Sequence, residues 1–582
     1  MDGVRTDKLS RPHPNQLKSH SARRRHEELQ VTTPETIADS AERNNNGQGV
    51  SADLPLPSTD VSPTFDSGNL SRFFEAGVLS AKWDGFEENG TFRDVYIGTD
   101  VANLHHLVRD HELPGSGCLF YPFPAIRDEL YWKPAHAASI HHYLSVESLN
   151  DLSSFPVRHV RDALVDTYFK DIHPGFPILD KANFRKRYED PDNPPSLIVF
   201  QAMLLAAARI TNHPQVAACR EITTAVFYKR TKTLFDIRHE HDRVDLIQAA
   251  LLMAWYTESS DTVASNAYYW VGSAVRIAFG MGLHRSASLR YVPPSRRRFD
   301  RKYKKIWWTL LYSEAMLALE YGRPSQIRID DFDVGVLEDD DFKNMDDSDD
   351  DMVNGHFCSI LGDISIVALD VLSLRAPRGR PIHPPTQTIE HQLANVAMRI
   401  LPIHDAWSCQ LRLIYNLVSL AFHRTRDDED AAKLCSEAAS NILTTFEAMV
   451  VHGTIRQCHL STTTALMAAA LEFAREARSA AATRSIIKAI SAHGQLQRLL
   501  GPAEALSPYF SHVKAVCKLC KSLIARAEVL IKEAQEPSST LTNSDLPPET
   551  NIDWEGIMTN YRTPNLGFGM GIEGEDWLFD FS

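Results

Sequence analysis

The feature that most constrains this chain is a helical period that sets in at Pro156 and persists to about residue 535. Apolar side chains recur three and four positions apart, whereas the alternation of β-branched residues that marks strands is nearly absent. The fold class that follows is all-α, built from many helices. Val160, Leu164, Val165, Tyr168 and Phe169 share one face, and His173–Pro174 ends that helix because the residue before a proline is steered away from helical geometry. Ser196–Thr211 (SLIVFQAMLLAAARIT) is apolar nearly all round, the texture of a helix buried among others. Asp245–Thr257, Asn266–Leu283 and Lys302–Tyr321 repeat the pattern, and later helices are expected at 357–374, 386–400, 409–423, 430–452, 456–478, 482–499 and 507–534. No fixed-period repeat is visible, which argues against a regular solenoid.

The flanks differ from this block. Residues 1–70 hold one aromatic, Phe65, among six prolines and polar runs, so they cannot bury enough apolar surface to offset the entropy of ordering. The organisation expected is a disordered N-terminal arm over 1–72, an irregular approach segment over 73–155, the all-α domain over 156–535, and an acidic, aromatic tail over 536–582. The tail closes on Trp577, Leu578, Phe579 and Phe581 interleaved with acids, and also holds Trp554. That composition suits either a segment that docks its aromatics into a partner's groove, as activation tails do, or one that packs back on its own core.

Charge and cysteine usage narrow the function classes. Sixty-one Lys and Arg against 75 Asp and Glu give a net charge of −14, which excludes a wholly basic nucleic-acid binder but not a local basic patch. Eight cysteines are too few for a disulfide scaffold of this length, and none precedes Cys118. The N-terminus has no apolar core of a secretory signal, and the most apolar run noted, Leu197–Ala208, falls short of the roughly 20 residues a bilayer helix needs. A reducing compartment fits both facts. Arg23, Arg24 and Arg25 read as part of a nuclear import signal or as solvated charge. Two charged stretches follow one another along the chain: Arg296–Lys305 with seven basic residues in ten, then Asp330–Asp351 with twelve acids and one lysine. Their default reading is an ion-paired face followed by a solvated loop.

Enzyme signatures fail one by one. Gly569-x-Gly571-x-x-Gly574 has the letters of a dinucleotide fingerprint but no strand and helix around it. Asp346, Asp347 and Asp350 spell the DDxxD of magnesium-dependent terpenoid enzymes, yet they lie in a run without apolar period. The nearest second motif, Asn150–Asp151–Leu152–x–Ser154, has Arg158 where a carboxylate should stand. Cys517-x-x-Cys520 lacks a second ligand pair and sits in an apparent helix, where thiols act as small hydrophobes. His105, His106, His111, His239 and His241 form no spaced ligand set. No catalytic residue, metal or cofactor is expected.

The segment Asp162–Tyr188 (DALVDTYFKDIHPGFPILDKANFRKRY) resembles the opening signature of the fungal-specific transcription factor domain, through His173, Pro174, Phe176 and Pro177 above all. The likeness continues through Tyr268–Ala278, Gly282–Arg285, the stretch ending in Trp307 and Trp308, the step Gly322–Arg323–Pro324, and Ile329–Val334 with Asp330, Asp331 and Asp333. With Val95–Thr99 and Arg328–Phe342, it is most similar to the branch of cutinase-type activators, over about 95–345. The resemblance implies a nuclear regulator of transcription that controls a fungal metabolic or secondary-metabolite gene set through an all-α regulatory domain; the alternative is a non-DNA-binding partner or ligand-sensing module that acts through a zinc cluster protein. The resemblance also implies as partners the transcription machinery or a DNA-binding protein, with DNA and a homodimer left open and no membrane. Gly322 suits a helix C-cap with Pro324 blocking continuation. Two departures follow. Glu314–Ala315 replaces the family's Asp-Arg pair, so a lone carboxylate among Leu311, Met316 and Leu317 needs another partner. The six-cysteine zinc cluster that the family uses for DNA is absent ahead of Arg23–Arg25, so no zinc is expected in this chain.

Overall fold

The computed structural model describes residues 92–97, 119–124, 146–256, 266–286, 297–342, 353–374, 385–426 and 428–535. The first helices are α1 (Val146–Ser153), α2 (Arg158–Asp171), α3 (Lys181–Glu189), α4 (Leu197–Ile210), α5 (Pro214–Ala218) and α6 (Arg220–Asp236). Next come α7 (Arg243–Met253), α8 (Ala267–Met281), the long α9 (Arg297–Tyr321), α10 (Gly355–Leu374) and α11 (Thr386–Arg399). The C-terminal half adds α12 (Ala406–His423), α13 (Glu429–Val451), α14 (Leu460–Ala482), α15 (Ile486–Leu506) and α16 (Val513–Gln535). The all-α reading holds.

Helix starts follow local chemistry. Asp180, Asp242, Asn266, Asp405 and Asp428 each accept a hydrogen bond from a backbone N–H of the first turn they precede, which satisfies donors that have no partner inside the helix. Helix ends follow it as well. Gly282 and Gly322 take left-handed backbone angles (φ 71° and 61°) just past α8 and α9, where a side chain would strain the turn.

The core is organised around α4, in which every residue from Ile198 to Ile210 is buried. It lies among α2, α6 and α7. Full burial of each Leu or Ile there contributes about 1.5–3 kcal/mol, which is why the run has no polar face. From α7 the packing passes through α8 and α9 to α10 and α12, and then into the bundle α12–α16. Helix α10 is long and apolar enough to cross a membrane by length and composition, exceeding Leu197–Ala208 in this respect. In this fold it is a core helix between α9 and α12, with 61% of its most apolar window buried.

Three features depart from expectation. Residues 73–155 hold a two-stranded antiparallel ladder, with Phe92–Ile97 (β1) beside Leu119–Pro124 (β2) and Phe92 opposite Pro124. The segment also contains α1. The strand formers Val95, Tyr96, Phe120 and Tyr121 favour such pairing, but the partners are too far apart in sequence for a hairpin signal. The apolar period does not reveal helix α6, because its inward face mixes Thr223, Thr224, Arg230 and Thr231 with Phe227 and Leu234. Finally, α14 begins at Leu460 rather than 456, since Ile455–Gln457 forms a tight 3-10 turn after Gly453. The N-terminal arm and the C-terminal tail lie outside the described residues, as does the second half of the acidic run.

Candidate functional site

The signature turn after α2 is held by its own backbone and then by distant helices. The N–H groups of Ile172 and His173 donate to Tyr168 O, and those of Gly175 and Phe176 to Ile172 O, so the chain turns sharply where Pro174 forbids more helix. Pro174 O accepts from the N–H of Asn354 at 2.8 Å, which ties the turn to the start of α10. His173 is fully buried, edge-on to Phe169 with centroids 5.4 Å apart.

Around this turn the two halves of the domain meet. Asp171, buried, accepts hydrogen bonds from Arg456 Nη1 at 2.7 Å and Gln457 Nε2 at 2.6 Å, across 285 and 286 residues of sequence. Phe176 packs against Trp255 and His459, with centroids at 5.4 and 5.7 Å. Tyr312 of α9 reaches the same turn, its hydroxyl 2.8 Å from His459 Nδ1 and 3.1 Å from Ser461 Oγ. A void of about 10 Å³, room for one water, lies among Asp171, Phe176, Trp255, Trp407, Gln410 and His459. The turn 455–461 is thus gripped by α2, α9 and the end of α7.

Arg209, at the end of α4, completes the seam. Its guanidinium is 5% exposed, donates to Cys458 O at 3.1 Å, and lies between the rings of Trp255 (4.6 Å) and Phe510 (3.9 Å). Burial lowers it to about 9, still charged at neutral pH. Burial and this cation together press His459 down to about 3 and His512 to about 4, so both imidazoles stay neutral. The Cys458 thiol is pushed up to about 12 by burial. The seam is a joint, in which α2, α9 and the end of α7 hold the turn 455–461.

Gly175 shows how tightly the joint closes. A Cβ placed there would lie 2.3 Å from Trp407 Cζ3 and 2.8 Å from Phe357 Cε1. Gly175→Ala is expected to cost about 1–3 kcal/mol by overpacking, whereas Gly494→Ala, whose Cβ meets nothing within 4 Å, gains a few tenths to about 1 kcal/mol by helix propensity. Thermal melts of the two variants check the contrast.

The remaining signature residues form two further clusters. Trp307 is fully buried against Phe279, His284 and Phe332, and Trp308 donates through Nε1 to Gly335 O at 2.9 Å. Asp333 belongs here, pairing with Arg285 at 3.2 Å and accepting from the N–H of Ser286 at 2.6 Å. Lys304 meets Asp341 at 2.6 Å, so the first part of the acidic run is pinned to the basic end of α9. Asp330 and Asp331 are exposed in a 3-10 turn and join no cluster. At the Gly322–Arg323–Pro324 step, Arg323 covers the rings of Tyr268 and Tyr321, and Tyr268 donates to Pro324 O at 2.9 Å. Arg23, Arg24, Arg25, Trp554, Trp577, Leu578, Phe579 and Phe581 lie outside the described residues, as do Asp346, Asp347 and Asp350.

Glu314 is fully buried and makes no ion pair among the described residues; one oxygen accepts from the N–H of Gln326 at 2.7 Å and, more weakly, from Ser325 Oγ at 3.5 Å. Burial raises its carboxyl to about 7. The would-be magnesium residue Asp151 is occupied by Arg230 at 2.6 Å, which fastens α1 to α6. Both cysteines of Cys517-x-x-Cys520 are buried in α16, and among the described residues no group of His, Cys, Asp or Glu is placed to hold a metal. Sequence reasoning missed Arg209, Tyr312, Arg456, Gln457 and His459. Only contact across hundreds of residues distinguishes them from ordinary helix-end polar groups.

The signature residues thus lock two halves of a helical domain together. Residues 165–374 match the fungal specific transcription factor domain. The relatives are fungal regulators. The acetamidase regulatory protein of Aspergillus fumigatus is 30% identical over 449 residues, covering 73% of this chain and 55% of its own length. That of Emericella nidulans is 29% identical over 447 residues, 73% of this chain and 53% of its own. Cutinase transcription factor 1 alpha of Fusarium vanettenii is 36% identical over 255 residues, 43% of this chain and 27% of its own. The chain thus spans about half the length of the acetamidase regulators it matches.

Proposed function

We propose that the chain is a nuclear regulator of transcription, controlling a fungal metabolic gene set through its all-α domain, and that it is not an enzyme. The observation that carries this reading is the signature turn itself. Its polar groups are spent on joining α2 to the turn 455–461 through Asp171, Arg456 and Gln457, and the His459 imidazole against Phe176 is held neutral by burial. Contacts spent on holding the domain together suit a regulatory scaffold better than chemistry. Contact with DNA is assigned to a DNA-binding partner or to a module other than the helices described, and the chain is read as carrying no zinc of its own.

The test is a reporter measurement in a fungal host with the full chain fused to a heterologous DNA-binding domain. Reporter output is expected to change relative to that DNA-binding domain alone, and to revert when Asp171 is replaced by alanine. A fluorescent fusion is expected in the nucleus, with Arg23, Arg24 and Arg25 replaced by alanine as the comparison. Unchanged output with a stable, nuclear fusion would count against regulation. Stoichiometric zinc with sequence-specific duplex binding by the isolated chain would overturn the assignment of DNA contact elsewhere.

A further inference from the structure

Helices α15 and α16 pack antiparallel at the C-terminal edge of the bundle, as His493 opposite Glu528 (3.5 Å) and Glu504 opposite Lys521 (3.0 Å) show. Their inward faces are spent on α14 through Ala477, Ala492 and Ala527 and through Ala480, Ala489 and Ile531. The outward faces leave an open groove of about 360 Å³ lined by Gln497 and Leu500 of α15 and by Lys521, Ile524, Ala525 and Glu528 of α16. Ile490 of α15 and Val529 of α16, 50% and 52% exposed, lie on the same two helices. A two-helix trough with an apolar floor and charged walls is the shape that takes a short aromatic segment.

We propose that this groove is the docking site for the chain's own tail, seated through Trp577, Leu578, Phe579 and Phe581. Two observations select this occupant. The first is connectivity. The tail departs from Gln535, six residues beyond Val529, and the 41 residues between Gln535 and Trp577 exceed by far the few residues of extended chain, at about 3.3 Å each, needed to return along α16. Tethering also gives the tail an effective concentration that a separate partner lacks. The second is charge. Helices α15 and α16 carry seven Lys or Arg against three Glu, while 536–582 carries nine acids against Arg562. The aromatics supply apolar anchors for Leu500 and Ile524, and the acids between them meet the net positive charge of the two helices as a whole, since Lys521 and Glu528 offset each other in the lining itself.

The regulatory consequence rests on the proposed function: a docked tail is hidden from other proteins, and its release exposes an acidic, aromatic segment able to recruit them. Docking itself is tested without any promoter. In the full chain, Gln497 is replaced by the photo-crosslinker p-benzoylphenylalanine, and the crosslinked peptides are identified by mass spectrometry. Peptides spanning 573–582 are expected, within a monomer. The same label at the exposed Met398 serves as a control and should capture none. Trp577→Ala with Phe579→Ala and Phe581→Ala should abolish the product, and Ile490→Asp should lower its yield about tenfold. If the label at Gln497 perturbs the helix, the label at Trp577 must return peptides from α15 or α16. Crosslinks to a second copy, or no tail peptide from either position, overturn the proposal. Crosslinking with a silent reporter would leave docking standing and the regulatory reading refuted.

Discussion

Replacing Asp171 by alanine is expected to lower the unfolding free energy by about 3 kcal/mol, because a buried carboxylate would vanish and strand its two donors. Arg456 would lose its ion pair and Gln457 its acceptor in a turn that also holds Cys458 and His459 in place. The loss should be local in kind. Limited proteolysis of Asp171→Ala is expected to cut first within 452–461, where the two halves separate, and urea midpoints give the magnitude. Asp166→Ala is the comparison: its pair with Arg185 is at 2.8 Å but both side chains are exposed, so the cost should stay within about 1 kcal/mol. Equal losses for the two variants would mean that the seam is not the joint described above.

The second large effect depends on pH. The Glu314 carboxyl titrates near 7 in the fold against an ordinary value of 4.5, chiefly because burial disfavours the charged form. Below 4.5 both folded and unfolded states hold the proton. Between 4.5 and 7 only the folded state holds it, so stability falls as pH rises; above 7 the fold carries a desolvated carboxylate and the loss is complete. Glu314→Gln keeps the shape of the protonated acid and cannot ionise. It is expected to match the wild type near pH 5 and to exceed it by about 3 kcal/mol near pH 8, read as the difference between urea midpoints at the two pH values. Glu320 (about 7) and Asp245 (about 6) are raised by burial as well, so the wild-type curve falls in this window from several groups. Subtracting the variant isolates Glu314. Parallel curves for wild type and variant would show that Glu314 is not the titrating group.

These two sites differ in how legible they were. Glu314 stands out in the sequence because its neighbours are apolar at helical spacing, so a carboxylate without a cation is visible from local pattern alone. What the pattern does not contain is the resolution, a backbone N–H at Gln326 beyond the Gly322 turn. Asp171 is less legible still. It reads as the last residue of an amphipathic helix, where an acid is unremarkable.

The sequence by itself determined the all-α class, the positions of most long helices and the sharp exit at His173–Pro174. It did so because helical period, caps and proline stops are local, each set within one or two turns of chain. Only the tertiary structure decided what those helices are for. Arg209 becomes a seam cation because Trp255 and Phe510 close over it, and Asp171 becomes a tie because a turn 285 residues away brings Arg456 to it. Such partners are selected by packing, in which any exposed helix end competes for any polar group, and no local spacing records which contact prevails.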